Sequence, residues 1–284
     1  MLPGVKLSSV VVWLLASLLA GCGKADSGKA KGVPSYMHDW PRPQYQPGGS
    51  NALVSFVLYG RFKEGAEVSA KTYRTMGFPQ GVDLRHLTRE QVPQFPCTED
   101  AFAKTAGKDN PALFQQVRTA AECLVFQGEL PDPHDLNFLR DLTGLIMFSL
   151  DHGAIAVMDV QQLKLYDRAT WRQEMFEPDP PNLSGHAVIL ISDEADGTQW
   201  FHSRGMRKFG RPDLSFHQVP HNLEKPVTEL FNRFIQMQAQ GGLIIEGQEI
   251  RMASLPAGLV CRHAGTTEDP DFNNVHVEIT WPKH

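Results

Sequence analysis

His186-Ala187-Val188-Ile189-Leu190-Ile191, then Asp193-Glu194-Ala195-Asp196-Gly197-Thr198, then Gln199-Trp200-Phe201-His202-Ser203-Arg204: this stretch decides the fold. An apolar run of strand length, a polar segment carrying an Asp-Gly turn signal and a second strand-like run together spell a β-hairpin. Asp213 to Val219 follows as a third meander strand. The first run is apolar without alternation, so it is expected at the centre of a sheet.

Working outward, Ala52-Leu53-Val54-Ser55-Phe56-Val57-Leu58-Tyr59 and Ala154-Ile155-Ala156-Val157-Met158 are also continuous apolar runs that suit central strands. Val275, Val277, Ile279 and Trp281 alternate with His276, Glu278 and Thr280, the pattern of a strand with one buried face. Shorter strand candidates are Leu243–Glu246, Glu249–Met252 and Leu259–Arg262.

Three segments share a helix-start signal, a proline after a polar residue. After Asn110-Pro111, Leu113, Phe114, Val117 and Ala121 recur on one helical face. After Asp132-Pro133, Leu136, Leu139, Leu142, Leu145, Ile146 and Leu150 continue to Gly153, a natural stop, and predict the most buried helix. After Lys225-Pro226, the stripe is Val227, Leu230, Phe231 and Phe234, ended by Gly241-Gly242. Thr88-Arg89-Glu90-Gln91 has capping-box spacing and predicts a short helix. Single strands beside helices early and a meander later predict an α+β fold: a mainly antiparallel sheet with about three helices packed on it.

The organisation expected is a signal peptide over residues 1–21, a lipidated Cys22 with a Gly/Pro-rich tether over 22–50, and a globular α+β domain over 51–284. The Pro-rich loop Glu177-Pro178-Asp179-Pro180-Pro181 places the one plausible internal boundary near 177–183, with a single composite domain preferred. The tether, treated as a flexible coil, has a root-mean-square reach of roughly 30 Å. Tyr36, Trp40 and Tyr45 interrupt it with aromatics that suit docking on the domain or on a membrane interface.

The N-terminus supports this division. Lys6 precedes an apolar run from Leu7 to Ala20, too short for a spanning helix of about 20 residues. The run closes on Leu19-Ala20-Gly21-Cys22, which resembles the lipobox of bacterial lipoproteins. That resemblance implies cleavage at Gly21–Cys22, diacylation of the Cys22 thiol by fatty acids such as palmitate, and membrane anchoring in the cell envelope. Gly23 stands where some lipoproteins carry an aspartate associated with inner-membrane retention. In a host with two membranes the resemblance therefore favours the outer membrane, facing the periplasm.

Composition narrows the partners. The chain is 284 residues, 42% hydrophobic and 21% charged, enough apolar matter for a sizeable core and against general disorder. Residues 51–284 hold 22 basic and 30 acidic groups, a net of −8, so the body is not drawn to nucleic acid. Beside Cys22 stand Cys97, Cys123 and Cys261. In an oxidising compartment a Cys97–Cys123 disulfide with Cys261 as a buried small hydrophobe is the expected arrangement. Cys-x-x-Cys spacing is absent, and Pro220 between His217 and His221 argues against helical ligand spacing, so no metal or other cofactor is expected.

The polar cluster that carries candidate chemistry is Trp200, His202, Arg204, Arg211, Asp213 and His217. On a strand Trp200, His202 and Arg204 share a face, and His217 comes beside His202 if the two strands pair. Two imidazoles, arginines and a carboxylate suit an anion site or acid/base work; equally, an arginine pairs with Asp213 to fix a connection and the histidines face solvent. Gly205-Met206-Arg207-Lys208-Phe209-Gly210-Arg211-Pro212-Asp213-Leu214 also resembles a short signature of bacterial α+β domains without assigned activity, which implies no catalytic residue. The Gly-x-Ser-x-Gly, His-Glu-x-x-His, phosphate-loop and dinucleotide fingerprints are all missing from the sequence. The expectation is a binding protein with an envelope protein partner, and the rival is an envelope hydrolase or metal-dependent enzyme using His202, Arg204, Asp213 and His217.

Overall fold

The computed structural model describes residues 37–63 and 65–282, so the signal segment, Cys22 and the start of the tether lie outside the described residues. The fold is α+β with mainly antiparallel sheets, and the chain divides into two compact units. The first holds the described residues up to Trp40 with Val54–Gly128 and Asp135–Pro181; the second holds Pro41–Leu53, Glu129–His134 and the chain from Asn182 onward. The chain crosses between the units five times, and the last crossing, at Pro181–Asn182, falls inside the 177–183 loop.

In the first unit, β1 (Ala52–Gly60), β2 (Val82–Thr88), β3 (Glu122–Leu130), β4 (Ala154–Asp159) and β5 (Lys164–Asp167) form a sheet of order β2-β3-β1-β4-β5. β1 is central, as its unbroken apolar run requires, and Phe56 through Tyr59 are buried. It pairs antiparallel with β4 in the register Phe56↔Asp159. Helix α1 (Pro111–Arg118) starts where expected, because the Asn110 side chain accepts from Leu113 N at 3.0 Å. Helix α2 (Asn137–Asp151) is buried from Phe138 through Leu150, the most enclosed of the helices described.

Four expectations for this part of the chain are corrected. The buried helix begins at Asn137 rather than Pro133. Thr88–Gln91 forms a turn: the Gln91 side chain does accept from Thr88 N at 3.0 Å, but Pro93 follows at once and disfavours helical angles at Val92. Cys97 and Cys123 are free, buried in one core cluster with Tyr59, Val125 and Met158, and burial pushes both thiols up to about 12. The tether ends earlier than residue 50, since Met37, Trp40 and Arg42 are buried.

In the second unit, β6 (Val188–Asp193), β7 (Gln199–Arg204), β8 (Asp213–Val219), β9 (Glu249–Ile250), β10 (Leu259–Ala264) and β11 (His276–Thr280) form a sheet of order β6-β7-β8-β11-β10-β9. The predicted hairpin is present, running from Val188↔Arg204 to Asp193↔Gln199. All described pairings in this sheet are antiparallel except β8 with β11. Helix α3 (Glu224–Ala239) buries Val227, Leu230, Phe231 and Ile235, with Phe231 edge-on to Phe201 at 6.0 Å. Phe201, Leu214, Phe216, Cys261, Val277 and Ile279 are also fully buried, and each large side chain so buried contributes about 1.5–3 kcal/mol.

Two strand expectations change here. β6 is an edge strand, not a central one: His186 lies in a 3-10 turn and Ile191 is 42% exposed. Leu243–Glu246 is irregular backbone, with the Ile245 amide bonded to the Gln248 side chain.

Candidate functional site

Strand alternation places Trp200, His202 and Arg204 of β7 on the sheet face opposite Phe201. β8 lies beside β7 and carries His217, and the three rings stack. Trp200 is 3.9 Å from His202 with planes 22° apart, and 4.9 Å from His217 with planes 6° apart. Both imidazoles thus stack on the indole, and its Nε1 donates to Ser215 Oγ at 3.0 Å. His217 pairs with Glu194 at 3.0 Å, a bond that holds the Glu194 carboxyl below the usual range. His202 is 7% exposed, and burial, with Arg204 adding to it, pushes its pKa down to about 4. Arg204 donates to the Asp271 carbonyl oxygen.

Two residues outside the expected set complete this face. Phe272 stacks on His276 at 4.2 Å and stands edge-on to His202 at 5.9 Å and to Trp200 at 6.1 Å. The strand alternation around Val275–Trp281 places His276 opposite the buried Val277, a signal the sequence contained. Phe272 sits in a loop whose sequence has no periodic pattern, so nothing announced it.

Arg211 and Asp213 have a different task. Arg211 is fully buried and donates through Nε to Gly242 O at 3.1 Å, through Nη1 to Asp132 at 2.8 Å and Gly210 O at 2.9 Å, and through Nη2 to Gly241 O at 2.8 Å and Gln46 O at 3.0 Å. All five N–H donors of the guanidinium are used, partly on carbonyls just beyond α3. Asp132 also accepts from the amides of Gly48 and Gly49 and from the Tyr45 hydroxyl. An added Cβ at Gly49 would come 1.7 Å from Arg211 Nη1, which explains why a residue without a side chain stands there. Nearby, Arg42 donates to Ala239 O, Gln238 O and Pro133 O.

Asp213 is fully buried and accepts from Ser203 Oγ and Asn274 Nδ2, both at 2.8 Å, and from Met206 N at 3.2 Å. Burial raises its pKa to about 6 against those three donors. The stretch Gly205–Leu214 is therefore a folded turn: Gly205 and Gly210 take left-handed backbone angles, and Met206, Lys208, Phe209, Arg211 and Asp213 are buried.

The structure brings Trp200, His202 and His217 together, places Arg204 at the same face, and commits Arg211 and Asp213 to internal hydrogen bonds. Among the described residues, no group of three or more His, Cys, Asp or Glu side chains is arranged to hold a metal ion. In the first unit, His152 Nδ1 meets Phe148 O at 2.8 Å at the end of α2, Asp151 is paired with Arg168 and Arg172, and Asp159 accepts from the amides of Gln161 and Gln162 as a turn residue. No protein-family model, no curated protein and no solved structure matches the chain.

Proposed function

We propose that this chain is a lipid-anchored protein of the bacterial envelope, acylated at Cys22, whose second unit works by binding a protein partner rather than by catalysis. The observation that carries the reading is the Trp200–His202–His217 stack, on the sheet face opposite the core residue Phe201. Aromatic rings fixed by stacking on regular strands lose little side-chain freedom on binding, which favours them as contact residues. The acidic body and the absence of nucleic-acid signals in the sequence favour a protein partner.

Anchoring is tested by metabolic labelling with a fatty-acid analogue. The native chain incorporates label and Cys22→Ser does not; label retained in that variant overturns the anchor. Contact is tested in living cells by a photo-crosslinking residue at position 217. One recurrent adduct, lost when Trp200 is replaced by Ala in a folded variant, supports the reading. Crosslinking that is indifferent to Trp200 contradicts it.

A further inference from the structure

Among the described residues, β6 is the sheet edge left both long and apolar. At the other edges β9 spans two residues and β5 four, and β2 carries Asp83, Arg85 and His86. Shortness and charge are usual means of keeping an exposed edge from pairing with another strand. β6 has six residues, Val188-Ile189-Leu190-Ile191-Ser192-Asp193, with its one charge at the end. It holds no lysine and no proline, and its register with β7 has no bulge. No other described helix or strand runs along it.

The groups it turns outward follow from the hairpin. Glu194 N donates to Thr198 O at 2.9 Å, so these two residues form a hydrogen-bonded pair in the register that sets Asp193 opposite Gln199. Such pairs alternate along an antiparallel ladder. Ser192, Leu190 and Val188 therefore bond to β7, whereas the N–H and C=O groups of Asp193, Ile191 and Ile189 point away from it. No described residue bonds those three on the outer side.

We propose that β6 pairs antiparallel with β6 of a second copy of this chain, making one sheet continuous across a twofold axis. In the register centred on Leu190, Ile189 of each copy exchanges main-chain hydrogen bonds with Ile191 of the other. Leu190 stands opposite its own copy, and Val188 opposite Ser192. The sequence of one strand thus supplies both sides of an apolar match. Asp193 and Glu194 lie at one end of the strand, so antiparallel pairing sends the two acidic ends apart, where parallel pairing would set like charges side by side. The twofold axis uses the long edge of both copies, so the assembly closes at two. β6 then has a strand on either side, the place its unbroken apolar run suits. This pairing does not involve the partner contact proposed at position 217 and stands or falls separately from it.

Two measurements test it. In sedimentation of the full chain carrying Cys22→Ser, a dimer is expected. Ile191→Lys should raise its dissociation constant at least about tenfold, because the axis counts each substitution twice. Ile191 is exposed, so this change leaves the core of each copy intact. The second measurement reads the register. At a non-hydrogen-bonded pair such as Leu190 with its copy, Cα atoms stand about 4.5 Å apart, within disulfide range. A mild thiol oxidant should therefore link Leu190→Cys chains into covalent dimers on the membrane. Ser192→Cys chains should stay unlinked, because their copies are offset along the strand. A native chain that sediments as a monomer, or as an open series of larger species, overturns the proposal. So does a dimer unchanged by Ile191→Lys, or one in which Ser192→Cys links as readily as Leu190→Cys. Should Ile191→Lys fail to fold, the crosslinking comparison decides by the same criterion.

Discussion

Replacing Arg211 by Met keeps the length of the apolar stem and removes the guanidinium, leaving the Asp132 carboxylate and the carbonyls of Gln46, Gly210, Gly241 and Gly242 without their donor. Five ordinary hydrogen bonds at about 1 kcal/mol each set a scale of ~5 kcal/mol. The Asp132 side chain keeps 19% of its exposure and recovers some hydration, which lowers the loss. Breaking a buried ion pair by removing one partner costs about 3–5 kcal/mol, and the same range is expected here. With a urea dependence of ~2 kcal/mol per molar, the midpoint of the second unit moves down by roughly 1.5–2.5 M. The assay is urea unfolding of Cys22→Ser chains, followed by backbone circular dichroism and by tryptophan fluorescence. A loss below about 1 kcal/mol would show that these bonds do not organise the unit, and the structural role given to Arg211 would fall with it.

Gly49→Ala must push a methyl group into Arg211 Nη1, and a loss of about 1–3 kcal/mol is expected by the same unfolding assay; a neutral result would contradict the close approach. His202 titrates near 4 in the folded chain against 6.5 unfolded, so the native state binds fewer protons in that window and loses stability as pH falls from about 6.5 towards 4. His202→Gln should flatten this slope, measured as urea midpoint against pH. Asp213 acts with the opposite sign: its folded pKa is raised to about 6 from 3.8, so its carboxyl favours the folded state at the acid end of that window and loses this as pH rises through 6. Asp213→Asn should therefore make the acid-side loss steeper. Cys97, Cys123 and Cys261 should resist a thiol reagent in the native Cys22→Ser chain and release three thiols per chain in urea, whereas one thiol would restore the expected disulfide.

Much of the fold is legible in the sequence because its signals are local. Asn110-Pro111 marks a helix start since both the cap and the missing amide act within one turn, and Asp196-Gly197 marks a hairpin by backbone geometry alone. The misreadings share a cause in partners distant along the chain. Asp132 has the look of a helix cap, but Arg211 and the Gly48 and Gly49 amides claim it from 79 and more residues away. Val188–Ile191 has the composition of a central strand, and which neighbour lies outside it is a matter of topology that no local pattern records. At the candidate site, period-two alternation gathers Trp200, His202 and His217 correctly. It does not show that Arg211 and Asp213 turn inward, because left-handed Gly205 and Gly210 break the strand rhythm just before them.

The proposed role of the second unit requires that its aromatic face touch another protein. A photo-crosslinking residue at position 217, compared in living cells with one at the exposed Ile245, measures this. One recurrent protein adduct is expected from position 217, abolished by Trp200→Ala and absent from position 245. Adducts of equal yield from both positions, or none from position 217 in a folded and lipid-labelled chain, would contradict it.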